Sequence, residues 1–211
     1  MLIYPNGAGA REAAGRAVAA GRLVAFRTDT FYGLGADPLN PDALEALNDL
    51  KGRDGKPILV VVSDAEQARR LVSETTNAFE LLAARHWPGP LTLVAAARPE
   101  LPALLTAGTG SVGVRLPDDE EAREIARACG GALTATSANP AGQPPARTAS
   151  AVAEYFPQGL EIILDSGVAR SERPSTVLDV TGACPRLIRE GVVTRRELEE
   201  SLRAAGLSLE G

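Results

Sequence analysis

Residues 56–71 read KPILVVVSDAEQARRL, and the hydrophobic pattern changes once within this stretch. The β-branched run at 58–62 predicts a buried strand. Ser63 and Glu66 have the spacing of a capping box, which predicts that a helix begins directly after that strand. A strand that leads straight into a helix is typical of an α/β domain.

Helix and strand patterns alternate on both sides of this stretch. Asn40 before Pro41, and the pairs Asp118 with Glu121 and Thr194 with Glu197, predict where three further helices begin. Predicted helices cover 11–20, 41–50, 77–86, 118–129, 148–156 and about 194–205, and predicted strands cover 23–26, 91–97, 112–116, 132–136, 160–164 and 176–180. Because this order is not a regular βαβ series, we expect one α/β domain over 1–211, with a core at about 10–192. Its architecture would be a twisted mixed β-sheet flanked by helices.

Composition excludes several classes of protein. The chain has 211 residues, of which 45% are hydrophobic and 23% are charged, and this balance excludes a disordered chain and a coiled coil. A formal net charge of −5 argues against a wholly basic nucleic-acid binder, although a local basic cleft remains compatible with it. The longest aliphatic run, 58–62, is far too short to span a bilayer, and the N-terminus lacks a signal-peptide pattern. Two cysteines far apart in sequence predict reduced thiols, so we expect a cytoplasmic protein with no membrane partner.

Positive charge is concentrated in the connections between the predicted elements. Both lysines of the chain, Lys51 and Lys56, lie in the segment KGRDGK. They fall together either by chance or because a compact ammonium is needed there, and Lys56 could equally be a surface lysine. The cations in or beside the connections are Arg27, Lys51, Arg53, Lys56, Arg115, Arg147, Arg173 and Arg189. Because loops at strand ends commonly carry functional sites, they predict a basic cleft for an anionic ligand. For any single arginine, a solvated loop position is the simpler interpretation.

Several familiar catalytic patterns are absent from the sequence. Gly108, Gly110 and Gly113 spell GxGxxG, but a strand-like segment follows them instead of a helix, so a dinucleotide fingerprint is not expected. The chain has one histidine, His86, which argues against a Ser-His-Asp triad or a histidine metal site. We expect His86 to pack at a helix end. The aspartates show no metal-ligand spacing, so no tightly bound metal site is expected.

Eight stretches, taken together and in order, resemble the YrdC-like family of threonylcarbamoyl-AMP synthases. The stretches are TDTFYGLGAD (28–37), KGR (51–53), KPILVVV (56–62), WPGPLTLV (87–94), VGVRLP (112–117), TSANPAG (136–142), STVLD (175–179) and LIREG (187–191). The family signature of Lys-x-Arg followed by Ser-x-Asn is present as Lys51–Arg53 and Ser137–Asn139. The chain departs from the family at Arg27 and Asp29, where proline and glutamate are usual. It is similar to the short, single-domain form of the family.

The resemblance implies a YrdC-like fold and a nucleotidyltransferase that makes threonylcarbamoyl-AMP and pyrophosphate from ATP, L-threonine and bicarbonate. Mg²⁺ would arrive with ATP, and the product would serve the t⁶A modification of tRNA through threonylcarbamoyl-transferase complex proteins. Two alternatives stay open. One is a sister protein with weak or different carbamoylation activity, and the other is a module that binds tRNA or double-stranded RNA.

The resemblance also assigns roles to residues. Lys51 and Arg53 would be catalytic and hold phosphates; Thr28, Tyr32 and Arg115 would bind threonine; and Ser137, Asn139, Ser175 and Arg189 would join Lys51 and Arg53 in binding the nucleotide. Structural alternatives remain for several of them. Lys51 and Arg53 could form a charge pair at a helix C-terminus, Asn139 before Pro140 could start a turn, Ser175 could cap a strand, and Tyr32 and Leu34 could be core residues.

Overall fold

The computed structural model describes residues 1–52 and 55–210, in which helices and strands alternate. The strands are β1 (Leu2–Pro5), β2 (Val24–Arg27), β3 (Tyr32–Gly35), β4 (Val60–Val62), β5 (Leu91–Ala96), β6 (Ser111–Arg115), β7 (Ala132–Thr134), β8 (Thr136–Ser137), β9 (Ile162–Asp165), β10 (Thr176–Asp179) and β11 (Arg186–Arg189). The helices are α1 (Ala8–Ala19), α2 (Pro41–Lys51), α3 (Ala65–Leu71), α4 (Asn77–His86), α5 (Ala103–Thr106), α6 (Glu120–Ala128), α7 (Ala149–Tyr155) and α8 (Arg195–Arg203).

The strands form two mixed sheets. The first has the order β1-β9-β2-β3-β8 and the second has the order β11-β10-β5-β6-β4-β7. Each contains parallel and antiparallel neighbours, such as β2 beside β9 and β3, and β5 beside β10 and β6. The predicted α/β class and mixed strand directions are confirmed, and the strands are divided between two sheets where the sequence predicts one.

The chain passes directly from one sheet to the other at Ala135. The predicted strand at 132–136 is two strands, because β7 pairs with β4 while β8 pairs with β3. Ala135 lies between them, and its N–H donates to the carbonyl oxygen of Leu59 at 2.8 Å. This crossing brings the two sheets together at one place, next to Ser137.

The core consists of two hydrophobic clusters. The larger cluster joins both sheets to α2 and α4 and includes Leu34, Leu44, Leu82 and Leu93, all fully buried. The smaller cluster packs α1 and α6 against β2 and β9 of the first sheet and against β4 and β7 of the second. Leu34 therefore belongs to the core.

Side chains that accept backbone hydrogen bonds mark most of the helix starts. The Asn40 side chain accepts from the N–H groups of Asp42 and Ala43, and Thr194 with Glu197 forms the predicted capping box. The other two predicted starts are wrong by one residue. Asp64, and not Ser63, caps α3, and Asp119, and not Asp118, caps α6. The Ser63 hydroxyl instead donates to the Asp64 carboxylate at 2.8 Å.

The N-terminal strand β1, the hairpin strand β3, the short helix α5 and the strand β11 are absent from the sequence prediction. Among the residues described, no helix is both long enough and apolar enough to cross a membrane. The predicted terminal helix is present as α8, within the expected range.

Candidate active site

A cavity of about 1280 Å³ lies against the open face of the second sheet. Thr92, Val94 and Ala96 of β5 line it, and so do Gly113 and Arg115 of β6. Side chains alternate between the two faces of a strand, so the residues between these point into the core. Tyr32, Gly33 and Ser137 of the first sheet also line the cavity, which is therefore built from both sheets.

Gly113 keeps the floor of this cavity flat. A Cβ atom at this position would lie 2.4 Å from Cδ2 of Leu59, so the missing side chain leaves room for Leu59. Gly108 and Gly110 have φ angles of +70° and +71° in the turn before β6. The GxGxxG pattern therefore leads into a strand, as expected, and does not open a helix.

Arg115 is anchored at one end of the cavity. Its Nη1 donates to Oδ1 of Asp29 at 2.5 Å, and its Nη2 lies 3.4 Å from Oγ1 of Thr28. The side chains of Arg115 and Asp29 are each 7% exposed, and Oδ2 of Asp29 accepts from the N–H of Asp118 at 3.3 Å. This pairing holds the guanidinium in one orientation and leaves N–H donors for a ligand, since an arginine has five.

Tyr32 forms part of the wall, and its hydroxyl already has partners. The side chain is fully buried, and the hydroxyl donates to the carbonyl oxygen of Gly167 at 2.7 Å and accepts from the N–H of Ser166 at 3.2 Å. Burial raises the pKa of Tyr32 to about 12, so the phenol is neutral at physiological pH. Tyr32 is therefore a core residue that also lines the cavity.

Lys51 enters the cavity from the C-terminal end of α2. The helix ends because Gly52 adopts a left-handed conformation, with φ +60°. The Lys51 ammonium donates to the carbonyl oxygen of Ser137 and lies 3.1 Å from Oγ of Ser137. Lys51 thus lies at a helix C-terminus, as one interpretation of the sequence predicts, and its side chain also reaches the cavity. Arg53 lies outside the described residues.

Ser175 and Arg189 meet beside Thr92. The Arg189 guanidinium donates to the carbonyl oxygen of Ser175 at 2.9 Å and lies 3.3 Å from its Oγ. The Thr92 hydroxyl donates to the same Oγ at 3.1 Å. Burial, and secondly the charge of Arg115, lower the pKa of Arg189 from its usual value.

Asn139 shapes a loop and is not among the residues that line the cavity. Its amide nitrogen donates to the carbonyl oxygens of Pro140 at 3.0 Å and Gln143 at 2.7 Å, which matches the turn interpretation. Within the described part of the chain, its buried Oδ1 has no hydrogen-bond partner. The loop that Asn139 holds brings Ala141 and Gly142 to the cavity.

The cations predicted from the loops divide into two groups. Lys51, Lys56, Arg115 and Arg189 line the cavity, together with Arg186. The others that are described lie elsewhere: Arg27 pairs with Asp119 and Glu121, Arg147 pairs with Glu172, and Arg173 is exposed. His86 ends α4, with Nε2 2.9 Å from the Ser201 hydroxyl, and burial lowers its pKa. Packing at a helix end is therefore confirmed for His86.

Sequence reasoning missed Thr92 and Phe31 as cavity residues. Thr92 could have been found, because it is the single polar residue in the apolar strand Leu91–Ala96 and lies on one of its alternate positions. Phe31 carried no such signal. Across residues 1–52 and 55–210, no cluster of three His, Cys, Asp or Glu side chains could hold a metal ion.

The family model Sua5/YciO/YrdC, described as "Telomere recombination", matches residues 16–191. The chain belongs to the Sua5/YciO/YrdC family. A threonylcarbamoyl-AMP synthase of Pyrococcus abyssi is 39% identical over 181 residues, which are 85% of this chain and 53% of that protein. A threonylcarbamoyl-AMP synthase of Marinobacter nauticus is 34% identical over 165 residues, which are 77% of this chain and 87% of that protein.

Solved structures of the Sua5/YciO/YrdC family have the same fold. The crystal structure of P. abyssi Sua5 complexed with L-threonine superposes with a TM-score of 0.91 at 34% identity, and the match covers 99% of this chain and 61% of that one. This chain therefore spans little more than half the length of its P. abyssi relative. The predicted family and YrdC-like fold are confirmed.

Proposed function

We propose that this chain is an L-threonylcarbamoyladenylate synthase, a nucleotidyltransferase that uses MgATP, L-threonine and bicarbonate. One observation carries the proposal: a single cavity contains an anchored arginine at one end and, on another wall, a lysine hydrogen-bonded to a serine. The names of the relatives support it, and so does the threonine complex of the P. abyssi structure.

Threonine binds at the Arg115 end of the cavity. A guanidinium fork is well suited to a carboxylate, and Asp29 and Thr28 keep that fork oriented. The buried ring of Tyr32 forms the adjoining wall. Orientation matters because the amine must reach a second reactant in a defined direction.

The nucleotide lies along the remaining cations of the cavity. Lys51 and Arg189 provide positive charge, and the hydroxyls of Ser137 and Ser175 provide donors. Arg53 is assigned to the phosphates by the family signature alone. Asn139 contributes by holding the loop closed. Magnesium enters as part of the MgATP substrate, because oxygen ligands from phosphates suit it.

The reaction proceeds in two steps that need no covalent enzyme intermediate. The lone pair of the threonine amine attacks the carbon of bicarbonate, water leaves, and an N-carboxylate forms. An oxygen of that carboxylate attacks the α-phosphorus of ATP, the bond to the β-phosphate oxygen breaks, and pyrophosphate leaves with the electron pair. Several negative charges approach one another, so positioning and cationic stabilisation supply the catalysis.

The product is an activated intermediate that threonylcarbamoyl-transferase proteins would pass to tRNA for the t⁶A modification. The free thiols of Cys129 and Cys184 are compatible with the cytoplasm, where this pathway would operate. A module that only binds tRNA or double-stranded RNA would instead show RNA affinity that falls steeply with salt, and no ATP turnover.

Pyrophosphate release tests the proposal directly. With MgATP present, we expect release only when both L-threonine and bicarbonate are added. Arg115→Ala should mainly raise the KM for threonine, while Arg147→Ala, which removes an arginine that does not line the cavity, should leave it unchanged. Pyrophosphate release that does not depend on threonine would contradict the proposed reaction. An unchanged threonine KM in Arg115→Ala would contradict the placement of threonine at Arg115.

A further inference from the structure

Four residues of neighbouring strands converge at one end of the cavity floor. Arg189 ends β11, Ser175 immediately precedes β10, Thr92 lies in β5 and Arg115 ends β6. These strands are consecutive in the second sheet, and the pairing of Leu93 with Val114 continues to place Thr92 beside Arg115. Thr92 therefore lies between Arg115 on one side and Ser175 with Arg189 on the other.

The Ser175 hydroxyl is set up as a donor. Its oxygen lies within hydrogen-bond distance of the Thr92 hydroxyl and of the Arg189 guanidinium, both of which donate to it. Its own proton has no acceptor among residues 1–52 and 55–210. Because hydrogen bonds accepted by a hydroxyl oxygen polarise its O–H bond, this proton becomes a better donor. Ser175 is 5% exposed and lines the cavity, where a ligand could accept the proton.

This end of the cavity carries positive charge that its carboxylates do not balance. Arg115 is paired with Asp29, whereas Arg189 has no carboxylate partner in the described part of the chain. The charge of Arg115 is one of the causes that lower the pKa of Arg189, so the two guanidinium groups influence each other. Arg189 is exposed toward the cavity, and a cation that lacks a counterion there attracts an anionic ligand.

We propose that Thr92 is a positioning residue that orients the Ser175 hydroxyl. Thr92, Ser175 and Arg189 together hold the carboxylate that the threonine amine acquires from bicarbonate. This inference rests on the proposed function and adds to it the place of the reacting carboxylate. Threonine has no second anionic group before this step. The three residues therefore bind the N-carboxylate intermediate more tightly than free threonine.

The dimensions of the site suit this intermediate. Neighbouring strands are about 4.8 Å apart, which sets the step from Arg115 to Thr92, and the Thr92 hydroxyl lies 3.1 Å from Oγ of Ser175. The carboxyl carbon of threonine and the new N-carboxylate carbon are separated by three bonds, or roughly 3–4 Å. One carboxylate can therefore bind Arg115 while the other accepts from Ser175 and Arg189.

Thr92→Val tests the role of the hydroxyl, because valine keeps the shape of the side chain. We expect the KM for bicarbonate to rise at least about 10-fold in Thr92→Val and in Ser175→Ala, the scale of one lost hydrogen bond to a charged group. Thr92→Ser should restore it to within about 3-fold. The ATP dissociation constant of Thr92→Val, measured without threonine and bicarbonate, should stay within about 2-fold. Ser175→Ala is compared by its bicarbonate KM alone, because Ser175 also faces the nucleotide. Thr106→Val, a buried threonine that does not line the cavity, is the matched control and should behave as wild type.

Weaker ATP binding by Thr92→Val with an unchanged bicarbonate KM would overturn the proposal. Thr92, Ser175 and Arg189 would then hold a phosphate group of ATP. Wild-type kinetics in Thr92→Val would overturn it as well. If the wild-type protein releases no threonine-dependent pyrophosphate, the proposed function fails. The inference is then tested separately by NMR, from the broadening of the ¹³C-bicarbonate line with threonine present. Broadening by the wild type that is lost in Thr92→Val supports the anion site; equal broadening, or none by the wild type, overturns it.

Discussion

At the scale of single residues, Lys51 combines a helix end with a position in the cavity. Its ammonium contacts both oxygens of Ser137, a residue on β8 of the first sheet. We expect Lys51→Ala to lower pyrophosphate release at least about 100-fold, the scale of one electrostatic contact to the transition state. Arg196→Ala on α8, where the side chain is 86% exposed, is the control and should leave the rate unchanged. A rate within a few-fold of wild type in Lys51→Ala would remove it from the phosphate site.

Arg27 forms a buried ion pair with Asp119. Its Nε donates to Oδ2 of Asp119 at 3.1 Å, and its Nη2 donates to Oε2 of Glu121 at 3.0 Å. The Asp119 side chain is 1% exposed, so Arg27→Met would leave a buried carboxylate without its cation. We expect the free energy of unfolding to fall by about 3 kcal/mol.

The double variant Arg27→Met with Asp119→Ser separates charge from packing. Serine still caps α6 but carries no charge, so the double variant should recover part of the lost stability. Urea denaturation of the wild type and both variants measures this. A double variant less stable than Arg27→Met would show that the buried charge is not the cause.

The sequence identified much of the site at this scale but not its pairing. Lys51, Ser137, Ser175, Arg115 and Arg189 were all predicted, and all line the cavity. Arg27 was grouped with the cavity cations because a sequence shows charge but not the direction of a side chain. Its partners, at 119 and 121, are about ninety residues away and are brought near only by the fold.

At the scale of elements, α1 and α6 cross closely at Gly15. A Cβ atom there would lie 2.3 Å from the carbonyl oxygen of Ala128. Gly15→Ala should therefore separate the helices and lower the free energy of unfolding by about 1–3 kcal/mol. Gly9→Ala in the same helix meets no atom within 4 Å, so it should be neutral or slightly stabilising. Thermal denaturation of both variants checks this, and equal melting temperatures would contradict the close crossing.

Helix boundaries were predicted better than strand partners for a physical reason. A helix start depends on a side chain and N–H groups two or three residues away, so Asn40 and Thr194 were found from sequence. Where two adjacent residues could each cap the helix, the sequence prediction chose Ser63 over Asp64 and Asp118 over Asp119, and both choices were wrong. Strand order depends on residues that are distant in sequence. The local pattern at 132–137 therefore did not indicate that β7 and β8 belong to different sheets.

At the scale of the whole molecule, the cavity is shared by both sheets, and this couples ligand binding to global stability. Tyr32 and Ser137 come from the first sheet, and Thr92 and Arg115 come from the second. A ligand that contacts both walls binds the native state alone. At about 100 times the dissociation constant it should raise the free energy of unfolding by about 2.7 kcal/mol.

We therefore expect one cooperative urea transition that moves to higher urea when MgATP and threonine are added. Since one large cluster joins the two sheets, they should unfold together. Arg115→Ala should lose the part of the shift that depends on threonine and keep the part that depends on ATP. Two separate transitions would mean that the sheets are independent, and an ATP shift lost along with the threonine shift would mean that Arg115 serves both ligands.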